Sequence, residues 1–130
     1  MTDSGLHPHP AQLAAPATIR VHAIAEATTV TVLGELDLAI TDRLAEQLTA
    51  EIELRPRALV LDLTAVTFCS SQGLGVLLSA HESAGAAGVP FAVVTEQRAL
   101  LRPLQLLGLD RVLLIHAGRT EARQWLATLR

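Results

Sequence analysis

Apolar and polar positions alternate twice near the start of the chain. Ile19, Val21 and Ala23 alternate with Arg20 and His22, and Thr28, Val30 and Val32 repeat the alternation through Leu33. A period of two predicts strands with one wet face. The runs are close enough to pair as a hairpin across Glu26-Ala27, and Gly34 ends the second. The period then changes. Ile40, Leu44, Leu48 and Ile52 form a helical stripe, which predicts a helix from about Thr41 to Leu54. Thr41 is the plausible cap, Asp42 suits the positive end of the helix dipole, and Pro56 stops the helix. Between strand and helix, Gly34-Glu35-Leu36-Asp37 reads as an acidic loop.

From Ala58 to Leu63 the chain is almost continuously apolar, the pattern of a central strand covered on both faces. A helix follows to about Ala86, with Leu74, Leu77, Leu78, His81 and Ala84 on one face. Phe91-Ala92-Val93-Val94 is another short buried strand. Leu100, Leu101, Leu104 and Leu107 mark a third helix closed by Gly108. Either the regular helix begins near Arg102, which puts Pro103 at a tolerated first position, or the helix is kinked there. Val112 to Ile115 predicts a last strand. Thr120 to Leu129 predicts a last helix, with Ala122, Trp125, Leu126 and Leu129 on its apolar side. Alternation of helix and strand after a hairpin gives an α/β fold with a mostly parallel sheet. About five strands and about four helices are expected, the first strand pair being an antiparallel edge.

The stretch Phe68-Cys69-Ser70-Ser71-Gln72-Gly73-Leu74-Gly75 joins the central strand to the second helix. Serine at a helix start accepts from the free amides of the first turn. Such a terminus also favours a negative group such as a phosphate. The glycines remove side chains where another surface could come close.

Ten basic and 13 acidic residues leave a net charge of -3, which argues against a general nucleic-acid binder. Every basic residue is Arg, so neither a Walker-type phosphate loop nor Schiff-base chemistry is available. A single cysteine, Cys69, cannot form an internal disulfide. No apolar run approaches the ~18 residues of a membrane span, and the first residues lack the pattern of a signal peptide. A soluble cytoplasmic protein is expected. Residues 1 to 17, with Pro8, Pro10 and Pro16, read as a disordered tail, in which His7 and His9 are solvated.

Enzyme signatures are missing. His81-Glu82 lacks the second His of a zinc-protease motif. Ser71 lacks the Gly two residues before it that a nucleophile elbow requires. Gly73-Leu74-Gly75 is too short for a dinucleotide loop. Asp37 and Asp62 could meet in space, but nothing suggests paired acid/base work. A non-enzymatic protein without cofactor or metal is expected.

With this order of elements, residues 18–130 resemble the STAS domain of bacterial anti-sigma factor antagonists. The resemblance rests on Gly34-Glu35-Leu36-Asp37, on Leu59 to Leu63, on Phe68 to Val76 and on Leu107-Gly108-Leu109. The family's central motif reads Asp-Ser-Ser-Gly-Leu-Gly. Here Ser70 takes the Asp position, Ser71 the phospho-acceptor position and Gln72 that of the second Ser, while Gly73, Leu74 and Gly75 match. The resemblance implies a STAS fold and a partner switch. The antagonist binds an anti-sigma factor of serine-kinase fold, the sigma factor is released, phosphorylation at Ser71 (alternatively Ser70) ends the contact, and a metal-dependent serine phosphatase resets it. Glu35, Asp37, Ser70, Ser71, Gln72, Gly73 and Gly75 would form the partner-binding surface. The alternative is a STAS subunit that is never phosphorylated and has a structural role in a membrane-associated complex of the lipid-transport type.

Overall fold

The computed structural model describes residues 17–129. Residues 1–16 of the expected tail, with its histidines, lie outside the described residues; Ala17 is half-buried and packs against the core. β1 (Thr18–Ala23) and β2 (Thr28–Leu33) form the expected antiparallel hairpin, with Ile19 opposite Val32 and Val21 opposite Val30. The Ile24 amide closes the turn on the Ala27 carbonyl at 2.9 Å. β3 (Leu59–Asp62), β4 (Phe91–Val94) and β5 (Ile115–His116) extend the sheet in parallel, in the order β1-β2-β3-β4-β5. All residues of β3 and β4 are buried, as their continuous apolar runs require.

Among the described residues the sheet is accompanied by α1 (Leu38–Glu53), α2 (Ser71–Ala87), α3 (Arg98–Leu106) and α4 (Arg119–Ala127). The stripe Ile40-Leu44-Leu48-Ile52 of α1 packs with Leu74 and Leu77 of α2 and Leu100 and Leu104 of α3 against Val30, Val32, Leu59 and Leu61. α4 lies over the opposite face, where Ala122 meets Val60 and Val94. Arg55 leaves α1 with φ 51°, a left-handed turn, and its Nη1 donates to the Ala87 carbonyl at the end of α2 at 2.8 Å.

Several boundaries differ from the sequence expectation, among them the end of α4, which stops at Ala127 and leaves Leu129 past the helix. α1 begins at Leu38 and is capped by Asp37, whose carboxylate accepts from the Ala39 amide at 3.0 Å. Thr41 is therefore not the cap; it is buried in the first turn and donates to the Leu38 carbonyl at 3.3 Å. The apolar stripe understates the start because Leu38 points outward, 63% exposed. Pro103 stands inside α3, which begins at Arg98, so the choice left open by the sequence falls against a helix start at Arg102. Leu107 lies past the helix end and is exposed, because Gly108 at φ 71° turns the chain away. The expected strand Val112–Ile115 is instead the exit of a 3-10 turn, Leu109–Arg111, followed by a pairing of only Ile115–His116. Leu113 is buried there, while Val112 and Leu114 face outward.

Candidate functional site at the N-terminus of α2

The chain reaches α2 along a short extended segment held by its neighbour. The Leu36 amide donates to the Phe68 carbonyl, and the Ser70 amide donates to the Leu36 carbonyl, both at 2.9 Å. This one-residue parallel bridge between Leu36 and Cys69 ties the acidic loop to the serine loop. Leu36 is fully buried, so the bridge is anchored in the core.

The two serines do different things. Ser70 is extended (φ -71°, ψ 166°) and its Oγ accepts from the Gly73 amide at 3.1 Å. Ser70 is the N-cap, half-buried and occupied. Ser71 is the first residue of the helix, exposed, and its hydroxyl has no hydrogen-bond partner among the described residues. The amides of Ser71 and Gln72 have no partner in the helix by its geometry, so they point out beside that hydroxyl. Gln72 is exposed as well.

The glycines also divide. Gly73 is buried, and a Cβ placed on it would lie 2.7 Å from Cys69 Sγ. Its absent side chain admits Cys69 beneath the helix start and does not open a surface. A Cβ on Gly75 would meet nothing within 4 Å, and this glycine faces solvent. Burial pushes the Cys69 thiol up to about 11, so it stays protonated at neutral pH.

The acidic loop borders the same end. Glu35 is exposed, and its carboxylate accepts from the Thr67 hydroxyl at 2.7 Å. Asp37 is held as the α1 cap. Glu35, Asp37, Ser70, Ser71 and Gln72 thus share one end of the molecule, and Gly73 lies under it. Two apolar side chains that the sequence did not single out as surface flank them: Phe68, 48% exposed, and Leu38. Large exposed apolar groups beside a polar tip are the composition of a contact surface. Thr67, which holds Glu35, was not signalled either; its partner lies 32 residues away.

Asp62 and Asp37 do not meet. Asp62 is buried at the end of β3, where Arg119 Nε donates to it at 2.7 Å and the Thr64 amide and hydroxyl donate at 3.0 and 2.7 Å. Burial raises this carboxyl, but those donors outweigh it and hold the group below its ordinary value. His81 is half-buried on α2.

The family model for the STAS domain matches residues 18–122. The chain belongs to the STAS domain family. Among curated relatives, the anti-sigma-F factor antagonist RsfB of Mycobacterium tuberculosis is 38% identical over 102 residues, covering 76% of this chain and 82% of that protein. A solved anti-sigma factor antagonist from Mycobacterium paratuberculosis superposes with a TM-score of 0.80 at 32% identity, covering 88% of this chain and 99% of that one. The Bacillus cell fate determinant SpoIIAA in its phosphorylated form superposes with a TM-score of 0.67 at 16% identity, covering 84% and 99%, a likeness of fold. No helix of this STAS domain, among the described residues, is long and apolar enough to cross a membrane.

Proposed function

We propose that this STAS domain is an anti-sigma factor antagonist: a cytoplasmic, non-catalytic binding module that engages an anti-sigma factor of serine-kinase fold. Its α2 N-terminus is the contact, and phosphorylation of Ser71 ends it. A metal-dependent serine phosphatase restores the binding form. The names of the M. tuberculosis and M. paratuberculosis relatives support the partner class. The observation that carries the switch is the division between the serines: Ser70 is spent on the Gly73 amide, while the Ser71 hydroxyl is exposed and unpartnered among the described residues.

The physics of such a switch is direct. A phosphate on Ser71 adds about -1.5 to -2 charges at pH 7. The free amides and dipole of the helix start receive it, so the domain itself stays folded. The effect falls on the partner, whose surface meets a charge beside Glu35, Asp37 and the apolar Phe68 and Leu38. Moving binding from 99:1 to 1:99 takes about 5.5 kcal/mol. A desolvated, unpaired charge at a protein interface supplies an effect of that order.

A second reading is favoured by one feature, the neutral Ser70 and the long Gln72 where the family motif has Asp and Ser. It is the unphosphorylated subunit of a membrane-associated complex. Titration calorimetry against a kinase-fold anti-sigma factor separates the two. The switch predicts that Ser71→Ala binds and Ser71→Asp does not. Equal, mild effects of both substitutions overturn it.

A further inference from the structure

The face of the sheet under α4 is only half covered. Strand register lays two rows of side chains across it: Arg20, Thr31, Asp62 and Val94, and beside them His22, Thr29, Val60 and Ala92. α4 has nine residues and buries only Ala122 fully. It covers Val60 and Val94, with Trp125 and Leu126 packed alongside, while β1 and the outward positions of β2 have no helix over them. Between α4 and that bare half lies an open cleft of about 390 Å³, within the range of small-molecule sites. A second hollow of about 340 Å³ continues it past Ile24, Arg123 and Leu126 toward Leu129.

The lining has a polarity. Toward the start of β2 it is apolar, built by Ile24, Ala27, Val60 and Leu126. Arg119 and Arg123 stand one turn apart on the same helix face and line the cleft with His22. The Asp62 carboxylate is already taken by Arg119. Arg123 has no ion pair or hydrogen bond among the described residues, and neither has Arg57 in the adjoining hollow, where the two guanidinium groups stand with one carboxylate, Glu26. Unpaired guanidinium groups beside an apolar trough, in a chain of net charge -3, are placed against the overall charge.

We infer that this cleft binds a single-chain anionic amphiphile of the fatty-acid class. Its carboxylate pairs with Arg123, and its hydrocarbon lies along Ile24, Ala27 and Leu126. A guanidinium fork matches a carboxylate in two parallel hydrogen bonds, which gives the head a fixed place. The tail removes from water the apolar surface that α4 is too short to cover. Aromatic platforms for bases are missing from this lining, so nucleic acid is not its ligand.

Trp125 stands against His116 and does not line the cleft, so binding is read by titration calorimetry. The full chain is titrated with decanoate below its micellar concentration, and separately with decyltrimethylammonium. A saturable change with decanoate and none with the cationic amphiphile is expected. Arg123→Glu weakens decanoate about tenfold or more, the size of a lost charge-assisted hydrogen bond. Arg123→Lys retains most of the binding, and Arg102→Glu on α3 leaves it unchanged. Circular dichroism shows that each variant is folded. No saturable change, equal response to the cationic amphiphile, or full binding by folded Arg123→Glu overturns the inference.

Discussion

On one side of the sheet, α1, α2 and α3 place Leu44, Leu48, Leu77 and Leu100 almost wholly out of water; on the other, α4 contributes Ala122 and little else. The candidate site is mounted on the first side. Leu36 anchors the acidic loop, Leu74 and Leu77 anchor α2, and Gly73 lets Cys69 close the space beneath the helix start. Under the proposed switch, a phosphate on Ser71 would meet this rigid frame and its effect would pass to whatever binds there. The second side is held by a thin apolar cluster and one ion pair, Asp62–Arg119, and it leaves room for a ligand.

Substitutions test this contrast in decreasing order of size. Leu77→Ala is expected to lose about 2–5 kcal/mol in urea unfolding, because the deep side cannot collapse around the cavity. Leu126→Ala, half-buried on the thin side, is expected to lose under about 1.5 kcal/mol by the same measurement. The reverse order would break the contrast. Gly73→Val should cost about 1–3 kcal/mol by overpacking, and adding Cys69→Ala should recover part of it. An unchanged urea midpoint for Gly73→Val would mean the close approach is not a constraint.

Asp62 sharpens the other side through pH. Its folded carboxyl lies below the ordinary 3.8, so the stability it lends is present above about pH 4 and is lost as pH falls through the folded value. Asp62→Asn should lower stability at neutral pH by about 1–2 kcal/mol. In urea melts run from pH 7 downward, its gap from the parent protein should narrow below pH 4. The smallest effects belong to the helix start. Ser70→Ala should lose about 1 kcal/mol of stability as a missing cap. Gly75→Ala, on an exposed helical position with open space around it, should gain up to about 1 kcal/mol. A loss with Gly75→Ala would reveal a packing role that the free surface does not show.

Most of the architecture could be read from periodicity. β3 and β4 are legible because strands buried on both faces become continuous apolar runs, and the hairpin because its wet face shows as alternation. The start of α1 was hidden by Leu38, an exposed apolar residue outside the stripe, and by an Asp cap that sequence alone reads as loop acidity. β5 was overstated because Val112 to Ile115 is apolar whether its side chains are buried or not, and Gly108 decides the path. The serine loop itself was legible as a strand-to-helix junction. Which serine caps and which is free was not, since both are cap-forming residues and only backbone geometry ranks them. Thr67–Glu35 and Arg119–Asp62 join residues 32 and 57 apart, beyond any local pattern.

The most direct test of the proposed switch is the intact mass of the protein after incubation with a candidate anti-sigma factor of kinase fold and ATP, beside Ser71→Ala and Ser70→Ala controls. The account predicts one added phosphate on the parent protein and on Ser70→Ala, and none on Ser71→Ala. A phosphate that persists in Ser71→Ala, or a stable complex that never acquires one, would contradict it.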